Sequence, residues 1–114
     1  MKDCHKEGHE AILKQLEIDV DFNTNVEKIA KIFSLLGDAT RMKIVLALMK
    51  GELCVYHICE ITGGSQSAIS QHLRKLKDGN ILSSKKVGNM VIYKIKDDHV
   101  LQIITQALKH KDCI

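Results

Sequence analysis

The sequence has no proline and no tryptophan, and aromatic residues make up only 4% of it. Without proline, nothing forbids long helices. Without large rings, the core has to be assembled from Leu, Ile, Val and Met. No apolar run approaches the length of a membrane span. The opening Met1–Glu10 stretch is polar and rich in His, Lys and Glu, unlike a secretory leader. The expectation is a cytoplasmic protein with no membrane partner. Its four cysteines would stay reduced there. Together with six histidines they suggest metal ligation or thiol sensing more than disulfides. No glycine-rich phosphate loop and no evident nucleophile–base pair stand out, so an enzyme is not expected.

What is present is compact. The 114 residues suit one domain, and a hydrophobic share of 45% is enough for a core. A chain this short buries less of its surface than a larger one, so a dimer interface would help. The net charge of +3 is modest, but it is concentrated. Arg74, Lys75, Lys77, Lys85 and Lys86 stand against Asp78 alone in one short stretch, and the remainder of the chain is slightly acidic. That is the charge footprint of a phosphate-binding surface.

Residues 1–22 read as an N-terminal arm with a short helix over Ala11–Glu17. Residues 23–114 read as a DNA-binding and dimerisation domain. Thr24 and Glu27 have capping-box spacing, and Val26, Ile29, Ile32, Phe33 and Leu36 recur at helical period. Asp38 caps a helix over Ala39–Lys50, and Gly51 stops it. A short helix over Val55–Thr62 is followed by Gly63-Gly64 and by a helix from Ser65 to about Asp78. Two helices joined by such a turn form a helix-turn-helix. Strands over Ile81–Val87 and Met90–Ile95 flank Gly88-Asn89 as a hairpin, which makes a wing. Asp97 caps a last helix with a broad apolar stripe that a partner subunit could cover. The predicted fold is mainly α with a small β-hairpin: a winged helix-turn-helix homodimer, about five or six helices plus a two-stranded wing.

The helix after the glycine turn has two faces. Ile69, Leu73 and Leu76 face inward, and His72 reads as a half-buried structural histidine. Ser65, Gln66, Ser67, Ser70, Gln71 and Arg74 form a polar surface able to address base edges in a major groove. Lys75, Lys85 and Lys86 would contact phosphates, adding affinity without specificity.

The last helix carries Asp97, His99, His110 and Cys113, all zinc-ligand types. His99 and His110 are eleven residues apart, so they lie roughly 16 Å apart along a helix but only about 20° apart around it. They share a face yet cannot share an ion. An antiparallel copy of the same helix resolves this, bringing Asp97 and His99 of one chain to His110 and Cys113 of the other. A second candidate cluster joins Cys54 and His57 to Cys4, His5 and His9 on the arm. Its thiolates favour soft ions such as cadmium or lead.

Taken together, Leu35-Leu36-Gly37-Asp38-Ala39-Thr40-Arg41, Glu52-Leu53-Cys54-Val55, the Ser65–Leu73 segment and the Asp97/His99/His110/Cys113 pattern resemble the ArsR/SmtB metal-responsive repressors. The resemblance spans about Val26 to Cys113. It implies an intersubunit zinc site on the last helix and a repressor that binds operator DNA, usually an imperfect inverted repeat, and leaves it on binding metal. Zn(II) is the expected effector, with Cd(II), Co(II) or Pb(II) as others. The last ligand in such zinc sensors is commonly His or Glu, where this chain has Cys113. Arsenic- and cadmium-type relatives often carry a second cysteine where this chain has Tyr56. Two rivals share these residues: a thiol-based redox-responsive repressor using Cys54, Cys59 or Cys113, and a metal-buffering protein that does not bind DNA.

Overall fold

The computed structural model describes residues 6–113. In chain order its elements are α1 (Lys6–Ile18), α2 (Phe22–Leu36), α3 (Ala39–Leu48), β1 (Leu53–Cys54), α4 (Val55–Thr62), α5 (Gln66–Asp78), β2 (Leu82–Val87), β3 (Met90–Ile95) and α6 (Asp98–His110), closed by a 3-10 turn over Lys111–Cys113. The chain divides into two compact units, 1–31 and 32–114. The first holds α1 and most of α2. Here α1 begins at Lys6, earlier than the expected Ala11. The start of α2 also lies earlier than Thr24 implied, at Phe22. Asp19 supplies the local signal, because its carboxylate accepts from the Asp21 N–H at 3.0 Å and its carbonyl from the Phe22 N–H at 3.2 Å.

The second unit is built around one core. Ile44, Val45, Leu73 and Leu76 are fully enclosed, and Ile58, Ile69, Leu82 and Ile104 nearly so. These side chains come from α3, α4, α5, β2 and α6, so every helix and strand of the unit from α3 onward except β1 and β3 supplies one of them. Aliphatic side chains alone fill this interior, as the shortage of rings required.

Three helix starts follow from short polar side chains. Asp38 accepts from the Arg41 N–H at 2.9 Å, Ser65 Oγ from the Ala68 N–H at 3.2 Å, and Asp97 Oδ1 from the His99 and Val100 N–H groups at 3.1 and 3.3 Å. Each satisfies a donor that the first turn of a helix leaves open. Gly63 ends α4 at φ +74, a left-handed cap that suits glycine. The helix-turn-helix is therefore α4, Gly63-Gly64, Ser65 and α5.

The hairpin registers Val87 opposite Met90 and Leu82 opposite Ile95. Gly88 has φ +62, and the two-residue connection puts positive φ at its first position, the II′ pattern that matches strand twist. The sheet has three strands in the order β1-β3-β2, because Leu53 and Cys54 pair antiparallel with Tyr93 and Ile92. The wing is thus anchored along one side by the chain just ahead of α4.

Candidate metal sites and nucleic-acid interface

α5 presents the surface its pattern implied. Ile69, Leu73 and Leu76 are buried, while Gln66, Ser67, Gln71, Arg74 and Lys75 are exposed and Ser70 is half-buried. Ser65 is the cap of the helix and is exposed as well. Apart from Arg74, the base-reading candidates cluster on the cap and first two turns of α5, where the helix dipole also favours phosphate. Lys75 and Lys77 in the last turn complement the other pole.

The wing lysines are not equivalent. Lys85 and Lys86 are adjacent in β2, so their side chains leave opposite faces. Lys85 Nζ lies 3.2 Å from Glu52 Oε2, an exposed pair across the step from β1 to β2. Lys86 is exposed. Sequence spacing gave no sign of the Glu52 partner, which is 33 residues away along the chain.

The four ligand candidates of the last helix split into two pairs. Asp97 and His99 stand at its start, with His99 Nδ1 3.4 Å from Asp97 Oδ1. His110 closes α6, and the 3-10 turn carries Cys113 on to an exposed position, its Sγ 3.9 Å from the Lys109 carbonyl. Among the described residues, no three His, Cys, Asp or Glu side chains gather closely enough to hold an ion within one chain. The donor types fit zinc, but each end of α6 supplies half a tetrahedral set. Between the ends, Phe33, Gln102, Ile103, Gln106, Ala107 and His110 line an open, mostly apolar groove of about 620 Å³. Phe33, at the edge of this groove, is 58% exposed.

The second cluster is described in part. Cys4 and His5 lie outside the described residues, and His9 is exposed on α1. In the other unit, Cys54 Sγ and His57 Nδ1 are 3.2 Å apart. Cys54 is buried, caps α4 without a side-chain hydrogen bond, and lines a cleft of about 240 Å³ with Tyr56, Gln66, Asn89 and Met90. A group bound at this thiol would sit beside the first residue of α5 and the tip of the wing. The neighbouring Glu60 carboxylate raises the Tyr56 phenol above its ordinary 10.0.

One residue beyond the candidate list is well connected. Arg41 donates from Nε to the Leu35 carbonyl at 2.8 Å and from a terminal nitrogen to the Ser34 carbonyl at 3.4 Å, and its other terminal nitrogen is 3.4 Å from His72 Nδ1. Asp38 accepts the Arg41 backbone N–H. That bond, reinforced by the guanidinium charge, holds the carboxyl below its ordinary 3.8 despite some desolvation. The signal available in the sequence was the Asp-Ala-Thr-Arg spacing, which placed cap and arginine on one turn.

A family model for bacterial regulatory proteins of the arsR family matches residues 38–84, from the cap of α3 through the helix-turn-helix into β2. A CadC homolog from Staphylococcus aureus, named as a cadmium resistance transcriptional regulatory protein, is 40% identical over 88 residues, covering 76% of this chain and 73% of that protein. The chain belongs to the ArsR family. A transcriptional repressor SmtB homolog from Synechocystis is 30% identical over 98 residues, covering 86% of this ArsR-family chain and 74% of its relative. Among solved structures, NolR from Sinorhizobium fredii superposes with a TM-score of 0.75 at 28% identity, covering 81% of this chain and 92% of NolR. A homodimeric winged helix-turn-helix DNA-binding domain from Mycobacterium bovis shares the fold, with a TM-score of 0.77 at 22% identity over 82% of this chain and 87% of that one. This ArsR-family chain is a winged helix-turn-helix regulator of transcription.

Proposed function

We propose that this protein is a metal-sensing repressor: a homodimer that binds operator DNA when free of metal and releases it on binding Zn(II), or a similar ion such as Cd(II), Co(II) or Pb(II), between two copies of α6. The observation that carries this reading is the division of donors on α6. Two stand at each end, an open apolar groove lies between, and no complete set forms among the described residues of one chain. A second copy lying antiparallel would cover the groove and complete two equivalent sites by symmetry. The relatives named for cadmium resistance and for repression fit the same assignment.

In this reading Asp97 and His99 of one subunit and His110 and Cys113 of the other hold the ion. Zinc there supplies a fixed tether of charge and geometry between the ends of two helices. The chain's own residues do the rest. The α6 stripe seats the partner, the face of α5 reads an inverted repeat, and Lys75 and Lys86 hold phosphates. His99→Ala and His110→Ala should abolish zinc-induced release while leaving DNA binding intact, as measured by fluorescence anisotropy on an operator duplex. Normal release by both variants would show that the regulatory ion binds elsewhere.

A second site is favoured by the 3.2 Å approach of Cys54 Sγ to His57 Nδ1. With Cys4, His5 and His9 it would form a thiolate-rich set for softer ions. Metal stoichiometry decides it: two Cd(II) per subunit in wild type and one in Cys54→Ser supports the site, and one in both refutes it.

A further inference from the structure

The last turn of α2 is tied to the α5 segment at two separated places, directly through Leu35 and indirectly through Arg41 of α3. Near the C-terminal end of α5, Gly79 lies so close to Leu35 that a Cβ there would collide with the leucine side chain. About two turns earlier, His72 is met by Arg41, whose Nε and other terminal nitrogen are already bound to the carbonyls of Leu35 and Ser34. Both carbonyls belong to the last turn of α2, where intrahelical donors run out, although Ser34 also accepts the Gly37 N–H at 3.3 Å. The guanidinium supplies those donors in a planar fork, and no ammonium can copy that geometry. It has no acceptor, so a hydrogen bond to His72 would use the lone pair of Nδ1. His72 is on the helix that carries Gln66, Ser70 and Gln71, two turns or less from each of them.

We propose that Arg41 is a positioning residue for base reading, fixing the pitch of α5 against α2 through His72 without itself touching DNA. The proposal rests on the reading of α5 as the base-reading helix. An error of about 1 Å in such a helix costs bidentate base contacts, which need both atoms in line, and leaves phosphate contacts largely intact. Arg41 should therefore matter for the ratio of specific to non-specific affinity.

The test uses two duplexes of equal length. One is selected from a random-sequence library by the wild-type protein, and the other is a scrambled version of it. Arg41→Gln and His72→Leu should each lower the affinity ratio tenfold or more, with the scrambled-duplex affinity and its salt slope unchanged. The double variant should be no worse than either single one. His72→Asn should restore the ratio, because its amide oxygen can occupy the place of Nδ1 and accept from the guanidinium. Arg41→Lys should not restore it.

Folded variants that lose both affinities together, with the ratio unchanged, overturn the proposal. An unchanged ratio in His72→Leu overturns it too, even if Arg41→Gln fails to fold. A wild-type protein that selects no duplex refutes the DNA reading itself, a failure seen before any variant is compared.

Discussion

Removing the charge of Lys86 tests how the wing meets DNA. Lys85 is held 3.2 Å from Glu52, and Lys86 leaves the opposite face of β2. A wing laid against a duplex can offer the phosphates only one of these faces. Lys86→Gln should therefore remove one phosphate contact per subunit and Lys85→Gln close to none. Each contact on B-DNA contributes about 0.9 to the slope of log affinity against log salt, so the dimer should lose about 1.8 from that slope. Over a fourfold rise from roughly 50 to 200 mM salt, the variant should forfeit about tenfold less affinity than wild type. It should bind more weakly at the low end and converge with wild type at the high end. Anisotropy titrations at four or five salt concentrations measure both slopes. The Glu52 pair is exposed and contributes little stability of its own, so thermal unfolding should hardly move in either variant. If Lys86→Gln keeps the wild-type slope while Lys85→Gln reduces it, the wing presents the other face and the argument from strand alternation fails.

Leu73→Ala should cost about 2–5 kcal/mol in urea unfolding, since Leu73 is fully enclosed and the cavity would open at the centre of the core. Ser65→Ala should cost about 1 kcal/mol through loss of the cap on α5, and Ser65→Asp should recover it. Asp38 has a folded pKa held below 3.8, so its contribution is complete above that value and is lost as pH falls through the folded one. Asp38→Asn should accordingly flatten the acid limb of the stability curve below about pH 4 and leave its neutral region parallel to wild type. Thermal midpoints should rise with protein concentration if a second copy covers the α6 groove, and a midpoint independent of concentration would count against the dimer.

Much of the architecture could be read directly from the residues. Asp38, Ser65 and Asp97 announced three helix starts, because a short polar side chain before an apolar period has one favourable use. Gly63-Gly64 and Gly88-Asn89 marked the two connections that define the fold. The early starts of α1 and α2 were hidden, since Lys6–Glu10 carries no apolar period and Asp19 acts through a local loop rather than a capping box. β1 was hidden for a different reason. Two residues cannot show an alternation, and Leu53 and Cys54 become a strand only because β3 lies alongside. For the site, the polar face of α5 was legible because periodicity alone separates it from the buried one. The grip of Arg41 on Ser34 and Leu35 and the pairing of Lys85 with Glu52 were not, because both depend on how separate elements come to rest.

Asp97 offers a last consequence. Its carboxylate secures the first turn of α6 through a single oxygen, Oδ1, which accepts two amide hydrogens and also lies 3.4 Å from His99 Nδ1. Coordination by the remaining oxygen would leave that hold untouched. An arriving ion would then find its ligand already oriented and would not have to unwind the helix that presents it. The helix start would not depend on the ion, and whatever work the ion does on a dimer would come from drawing two intact helices together.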